Sequence, residues 1–141
     1  MRLKDKVAIV TGSARGLGKG IAKKLAEEGA KVVIADMAGA EETAEEIRNE
    51  GGTASSFQVN VTDQAQVQAL VKFAVDTFGT LDIMVNNAGI NRDGMLHKMP
   101  AENWHAVIAV DLTGVFYGTQ EAIKYMRPRG YGRIINISSG S

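Results

Sequence analysis

The sequence predicts a doubly wound α/β fold, in which helices cover both faces of a parallel sheet of five strands. Short apolar runs alternate with helical patterns along the whole chain, which is typical of right-handed βαβ crossovers. A glycine-spaced turn joins the first apolar run to the first helix. Polar residues close several of the later runs. We expect the strand order 3-2-1-4-5, truncated before the later strands of such a fold.

Each strand is predicted by an apolar, partly β-branched run that is too short for a helix. In chain order the predicted strands are Val7–Val10, Lys31–Asp36, 54–61, 81–86 and 132–139. The second ends on Asp36, the third carries Asn60 near its end, and the fourth ends on Asn86. In an open parallel sheet these carboxyl ends form the edge that binds ligands.

Each helix is predicted by apolar residues at helical spacing, followed by a residue that stops a helix. The predicted helices are Gly16–Glu28, 41–50, 64–78 and 102–126. Gly29, Gly51 and Gly79 are suited to left-handed helix ends, and Pro128 ends the last helix. No linker, low-complexity tract or solenoid repeat interrupts the pattern, so residues 1–141 are expected to form a single domain.

Composition and charge exclude several kinds of partner. Basic and acidic residues number 16 each, so no net field directs the chain to nucleic acid or to an anionic membrane. The absence of cysteine excludes thiolate chemistry and fits a cytoplasmic protein. No signal peptide or membrane-spanning run is present in the sequence. His97 and His105 match no metal motif, so we predict no metal site.

The turn at residues 11–18 is predicted to bind a phosphate group. Gly12 permits a tight turn, Gly16 lets the backbone approach a pyrophosphate, and Gly18 allows the helix to pack closely. Free N–H groups at the positive end of the helix favour an anion, and a dinucleotide fits such a site. Asp36, 18 residues after Gly18, is placed to bind an adenosine ribose and to repel a 2′-phosphate. The alternative is an exposed carboxylate at a strand end.

These residues resemble the short-chain dehydrogenase/reductase family, most closely its β-ketoacyl-acyl carrier protein reductase branch. Thr11–Gly18 is similar to the family's cofactor motif, and Asn86–Gly89 to its second signature. Ile90–Asp93 resembles an extension that is common in the reductase branch. The resemblance covers all 141 residues and implies a Rossmann domain that binds NAD or NADP.

The resemblance also implies which residues line the cofactor. They are Gly12, Ser13, Arg15, Gly16, Leu17 and Gly18 in the turn, Asp36 at the ribose, Asn60 and Val61 beside the adenine, and Asn87, Ala88 and Gly89 along the remaining path. In relatives that use NADP, an arginine at the position of Arg15 commonly binds the 2′-phosphate. The negatively charged Asp36 would instead repel this phosphate. We therefore expect NAD(H) to be favoured over NADP(H).

The resemblance implies a catalytic set of Asn, Ser, Tyr and Lys, of which only part is present. Ser139 matches the serine that steadies the substrate carbonyl oxygen, the alternative being an ordinary turn serine. Asp111 stands where the family has asparagine, and an ionised acid cannot donate a hydrogen bond. The three tyrosines are followed four residues later by Glu121, Arg129 and Ile135, so the sequence contains no Tyr-x-x-x-Lys.

The sequence thus predicts the amino-terminal, cofactor-binding part of a longer carbonyl reductase, inactive by itself. The resemblance implies a small-molecule or carrier-bound β-keto substrate, with β-ketoacyl thioesters favoured. The alternative is a non-catalytic dinucleotide-binding or oligomerisation module, which would share the same turn.

Association with a second copy or with a missing carboxyl-terminal half is also expected, because the fifth strand would be a bare sheet edge. The family builds dimer contacts on the helix at 102–126, although its Trp104, Phe116 and Tyr117 are equally compatible with a core. A basic cluster near the end of that helix comprises Lys124, Arg127, Arg129 and Arg133. It would suit an acidic carrier protein, or it simply complements the helix terminus.

Overall fold

The computed structural model of the chain describes residues 2–87 and 112–137. Within these ranges strands and helices alternate. The strands are β1 Val7–Thr11, β2 Lys31–Asp36, β3 Thr53–Gln58, β4 Ile83–Asn86 and β5 Arg133–Asn136. The helices are α1 Gly16–Glu27, α2 Ala40–Asn49, α3 Gln64–Phe78 and α4 Gly114–Met126, with a 3-10 turn at Arg127–Arg129. None of the helices in the described ranges is long and apolar enough to cross a membrane.

The five strands form one parallel sheet in the order β3-β2-β1-β4-β5, which confirms the predicted fold class and topology. The chain adds β2 and β3 on one side of β1, and then β4 and β5 on the other. The order therefore reverses between β1 and β4. The carboxyl ends of these two strands flank the crevice in which open α/β sheets bind ligands.

The core consists of two layers, one on each face of the sheet. Ile9 of β1 packs with α3 and α4, in a cluster that includes Leu70 and Met84. The next residue, Val10, belongs to a cluster with α1 and α2 that includes Ile47. Successive strand residues point to opposite faces, so a strand covered on both sides must be apolar throughout. This explains why β1 is the clearest strand in the sequence.

The predicted end of the third strand is wrong, because a side-chain turn intervenes. β3 ends at Gln58 instead of residue 61. The Oδ1 atom of Asn60 accepts a hydrogen bond from the backbone N–H of Thr62 at 3.0 Å. The carbonyl of Asn60 also accepts from the N–H of Asp63 at 3.0 Å. This local pairing turns the chain toward α3, as asparagine side chains commonly do.

The other boundaries differ by less. β4 begins at Ile83, two residues after its predicted start, and the carboxylate of the preceding Asp82 accepts the N–H of Val7. β5 ends at Asn136, and Ile137 adds one further bond to β4. Residues 138–139 of the predicted strand and 102–111 of the predicted helix lie outside the described residues. The predicted helix stops are confirmed by positive φ angles at glycines 29, 51 and 79.

Ion pairs join α1 to α2 on the surface. The Nζ atom of Lys19 lies 2.7 Å from Oε2 of Glu46, and that of Lys23 lies 3.4 Å from the same oxygen. Lys23 also lies 3.5 Å from Oε2 of Glu50. The contact with Lys19 holds the pKa of Glu46 below its usual value. Oε2 of Glu46 is buried beside the two ammonium groups. Because 46% of the Glu46 side chain is nevertheless exposed, solvent weakens these ion pairs.

We expect the stabilisation that Glu46 provides to be lost in acid. A carboxyl group whose pKa is lowered by folding stabilises the folded chain above its unfolded pKa, and this contribution disappears as the pH falls through the folded pKa. Urea unfolding of the unaltered chain and of Glu46→Gln should show a difference at pH 7 that shrinks toward pH 3.5. The neighbouring, exposed Glu45→Gln is the control. An equal difference at both pH values would contradict the prediction.

Candidate functional site

The glycine-spaced turn lies at the crevice between β1 and β4. Gly12 and Gly16 have φ angles of +64° and +61°, in the left-handed region that only glycine adopts without penalty. α1 then begins without a capping side chain. Within the described residues, the N–H groups of Gly16, Leu17 and Gly18 have no hydrogen-bond acceptor, as is usual for a first helical turn. Together with the helix dipole, these donors can bind an anion.

Gly18 is the most crowded position of the turn. A Cβ atom there would lie 2.2 Å from the carbonyl oxygen of Gly12 and 2.4 Å from Nδ2 of Asn87. The sequence predicted close packing of helix on strand, and the structure shows that the neighbours are the turn itself and the residue after β4. Gly20 lies two residues later on the exposed side of α1, and a Cβ there would have nothing within 4 Å. Within α1, the lack of space for a Cβ is therefore a property of Gly18 and not of Gly20.

Ser13 points into the protein and fixes the turn against β2. It is fully buried, its hydroxyl donates to the carbonyl of Val10 at 2.6 Å, and it accepts from the N–H of Ala35 at 3.1 Å. Its own N–H donates to the carbonyl of Ala35 at 3.3 Å. These contacts make Ser13 a positioning residue, and a direct contact with a cofactor stays a prediction. Arg15 and Leu17, by contrast, are exposed.

Asp36 ends β2 directly beside the glycine turn. Its Oδ2 atom accepts a hydrogen bond from the N–H of Ala14 at 3.0 Å, and its Oδ1 atom accepts from the N–H of Met37 at 2.7 Å. Its carbonyl accepts from the N–H of Val59 at 2.9 Å. The carboxylate is thus held in place by two backbone donors. The structure brings Asp36 to the turn, while its contact with a ribose stays a prediction.

Asn87 connects the end of β4 to the glycine turn. Its N–H donates to Oγ1 of Thr11 at 2.9 Å, and its Nδ2 donates to the carbonyl of Gly12 at 3.3 Å. The hydroxyl of Thr11 also approaches the carbonyl of Val85 at 3.4 Å. Asn87 therefore braces the turn through both its backbone and its side chain.

The preceding residue, Asn86, joins three elements on the other side of β4. Its buried Nδ2 atom donates to Oδ1 of Asn136 in β5 at 2.8 Å and to Oγ1 of Thr119 in α4 at 3.3 Å. Gly118 allows this approach, because a Cβ there would lie 2.2 Å from Oδ1 of Asn86. Sequence reasoning identified the asparagine pair but not the partners Thr119 and Asn136. Both partners become adjacent to Asn86 only when β5 and α4 pack on β4.

The two residues predicted beside the adenine lie in the turn after β3. Oδ1 of Asn60 accepts from both the N–H and the hydroxyl of Thr62, at 3.0 and 2.7 Å. Val61 is buried in the core and packs against Gly114, where a Cβ would lie 2.7 Å from Cγ2 of Val61. Asn60 therefore shapes the entry to α3, and adenine contacts by this pair stay predictions.

Known proteins resemble this chain in both fold and sequence. The sequence model of the short chain dehydrogenase family matches residues 6–141. The chain belongs to this family. A crystal structure of a short chain dehydrogenase from Mycobacterium avium superposes with a TM-score of 0.92 at 39% identity, covering 99% of this chain and 56% of that one.

The names of the curated relatives point to two different substrates. Glucose 1-dehydrogenase 2 of Bacillus subtilis is 44% identical over 97% of this chain and 55% of its own length. The 3-oxoacyl-[acyl-carrier-protein] reductases of Thermotoga maritima and Staphylococcus aureus are 40% and 45% identical, over 57% and 56% of their lengths. The chain thus spans little more than half of these relatives. Similar identity to both groups leaves the substrate to be argued from other features.

The described site residues of this chain converge at one edge of the sheet. The structure brings the glycine turn, Asp36 and Asn87 together there. Four predicted site residues lie outside the described residues, namely Ala88, Gly89, Asp111 and Ser139. The roles that the resemblance implies for these four stay predictions.

Proposed function

We propose that this chain is the cofactor-binding part of an NAD(P)-dependent carbonyl reductase. The observation that carries the proposal is the pairing of two features at the crevice between β1 and β4. Gly16, Leu17 and Gly18 offer N–H donors that have no acceptor among the described residues, which suits a pyrophosphate. Asp36 is fixed beside them, which suits the hydroxyls of a ribose. A bound nicotinamide would supply the hydride chemistry, and these residues would hold the nucleotide.

NAD(H) is the favoured cofactor in this proposal. The two backbone hydrogen bonds of Asp36 keep its carboxylate from turning away from a 2′-phosphate. Arg15 is the opposing charge, exposed and without an ion-pair partner in the described part of the chain. An exposed arginine loses side-chain entropy when it is fixed on a ligand, whereas the carboxylate is already fixed. The negative charge of Asp36, which is already fixed, therefore outweighs the positive charge of the exposed Arg15, and NAD(H) is preferred.

Calorimetric titration with NADH and NADPH tests both parts of this proposal. We expect NADH to bind at least about tenfold more tightly, an energy difference of about 1.4 kcal/mol. Arg15→Ala should weaken the binding of NADPH more than the binding of NADH, because only NADPH carries the 2′-phosphate. Lys4→Ala, at the opposite end of the sheet, is the control. Tighter binding of NADPH would contradict the cofactor preference, and binding of neither nucleotide would contradict the function.

Reduction of a β-keto group, favoured as a β-ketoacyl thioester, is the proposed chemistry of the longer protein. Relatives named as 3-oxoacyl-[acyl-carrier-protein] reductases are compatible with this choice, and the resemblance of Ile90–Asp93 to the extension of the reductase branch favours it. Ser139 would hold the substrate carbonyl oxygen, and Asp111 would stand at the position of the family's asparagine. The proton donor would come from a Tyr-x-x-x-Lys motif, which the 141 residues do not contain. The second candidate, a non-catalytic dinucleotide-binding module, would use the same free N–H groups and Asp36.

We expect the 141-residue chain to reduce no ketone above the rate without enzyme, because the proton donor is missing. Oxidation of NADH with an acetoacetyl thioester, followed by absorbance, measures this. A chain extended by a continuation that contains Tyr-x-x-x-Lys should reduce the thioester, and the same extension with Tyr→Phe is the control. Turnover by the unextended chain would contradict the prediction. An extended chain that binds NADH but stays inactive would favour the non-catalytic module.

Self-association through α4 is a further part of the proposal. Leu112, Phe116 and Ile123 recur at helical spacing and are 63%, 57% and 42% exposed. Tyr117 packs against the core, so of the two described aromatic residues in question only Phe116 is available for a partner. A second copy would remove this apolar stripe from water.

Docking of an acidic carrier protein has weaker support, because part of the basic cluster already has local partners. Nζ of Lys124 lies 2.6 Å from Oε1 of Glu121, and Nη1 of Arg129 lies 3.0 Å from Oδ1 of Asp82. Arg127 and Arg133 remain exposed at the amino ends of the strands. The local pairs favour a structural role for half of the cluster.

A further inference from the structure

Thr43, near the start of α2, binds the glycine turn from outside the cofactor motif. It is only 2% exposed, and its hydroxyl donates to the carbonyl of Ala14 at 2.9 Å. Ala14 in turn donates its N–H to Oδ2 of Asp36 at 3.0 Å. The two peptide groups that flank the Cα of Ala14 are therefore both fixed, one by the hydroxyl and the other by the carboxylate.

α2 gives this hydroxyl a rigid base. Ala40, Ala44 and Ile47 of the same helix are buried in the core between α2 and the sheet. Gly39 reverses the chain before the helix with a φ angle of +79°, and a Cβ there would lie 3.4 Å from Cβ of Ala14. The start of α2 and the turn are thus in close contact at Ala14, so a displacement of one affects the other.

We propose that Thr43 is a positioning residue that sets cofactor selectivity by holding Ala14, and through it the carboxylate of Asp36. The proposal rests on the proposed function, namely that the turn binds a dinucleotide. Without the hydroxyl, the half-buried carbonyl of Ala14 loses its donor, and the peptide group between Ala14 and Arg15 is free to rotate. This rotation displaces the Cα of Ala14, which the two peptide groups share, and so weakens the hydrogen bond from the N–H of Ala14 to Oδ2 of Asp36. Asp36 then relies mainly on the donor of its neighbour Met37 and can turn away from a 2′-phosphate.

Two substitutions separate the hydroxyl from the shape of the side chain. Thr43→Val is close in size but has no donor, whereas Thr43→Ser keeps the donor and loses a methyl group. Ser56→Ala is the matched control, because the hydroxyl of Ser56 also binds α2, through Oε2 of Glu41 at 2.9 Å, but does not contact the turn. Thermal unfolding monitored by circular dichroism checks that every variant is folded.

Selectivity and local order are then measured separately. Calorimetry with NADH and NADPH gives the ratio of their dissociation constants, and amide exchange followed by NMR reports on the N–H of Ala14 without any ligand. We expect Thr43→Val to lower the preference for NADH at least about threefold and to speed exchange at Ala14 about tenfold, an amount set by loss of one hydrogen bond. Thr43→Ser should restore most of both values, and Ser56→Ala should change neither.

The possible failures are distinguishable. An unchanged ratio of dissociation constants in Thr43→Val overturns the proposal even if the overall affinity falls. Equal changes in Thr43→Val and Ser56→Ala also overturn it, since they would reflect general loosening of α2. If the unaltered chain binds neither nucleotide, the proposed function fails and selectivity with it. Faster exchange at Ala14 in Thr43→Val alone would then still show that Thr43 orders the turn.

Discussion

Gly18→Ala is expected to weaken dinucleotide binding and to destabilise the chain, whereas Gly20→Ala is expected to stabilise it. A Cβ at residue 18 would lie 2.2 Å from the carbonyl oxygen of Gly12, which is backbone and cannot swing aside. Overpacking of this kind costs about 1–3 kcal/mol. At exposed Gly20 nothing lies within 4 Å, so alanine should gain about 0.5–1 kcal/mol through helix propensity.

Binding should suffer in Gly18→Ala as well as stability. The close contact can be relieved only by moving Gly12 away from α1 or by displacing Asn87. Gly12 and Asn87 together position the N–H donors of the first helical turn, so either movement disturbs the anion site. We expect the affinity for NADH to fall more than about tenfold. Urea unfolding and calorimetry on the two variants measure the two effects. A Gly18→Ala chain that binds NADH as well as Gly20→Ala would contradict the prediction.

The fold could be predicted because burial on both faces leaves a simple trace in the sequence. The residues of β1 are all buried, and all but the last, Thr11, form an unbroken apolar run. β3 lies at the edge of the sheet, and its sequence, Thr53–Gln58, is mostly polar and half-exposed. Its end was misplaced because the hydrogen bonds of Asn60, and not a change in hydropathy, stop the strand.

The residues of the candidate site could be predicted only where their spacing along the chain marks them. The glycines of the turn and the acid at the end of β2 follow from spacing along the chain. The inward hydroxyl of Ser13 and the contact of Thr43 do not, because the partner of a hydroxyl is set by tertiary packing. Thr43 and Ala14 are 29 residues apart, and no local pattern marks them as neighbours.

Asp82 is a buried acid whose structural role the sequence did not indicate. It is 2% exposed and lies at the amino end of β4, opposite to the candidate site. Oδ2 accepts from the N–H of Val7 at 2.9 Å. Oδ1 of Asp82 lies 3.0 Å from Nη1 of Arg129 and forms an ion pair with it, without a well-aligned hydrogen bond. The same Nη1 atom donates a hydrogen bond to the carbonyl of Leu81 at 3.2 Å. One carboxylate therefore joins the starts of β1 and β4 to the turn after α4.

Asp82→Ala is accordingly expected to cause the largest loss of stability, about 2–4 kcal/mol in urea unfolding, because it leaves a buried N–H without an acceptor and removes the partner of Arg129. Arg129 is 42% exposed and regains water, so most of the loss should come from Val7. Asp82→Asn keeps an acceptor for Val7 and should lose less than half as much. Asp76→Asn, in an exposed pair with Lys72, should change stability little. If Asp82→Asn were as damaging as Asp82→Ala, the ion pair and not the buried N–H would be the main contribution.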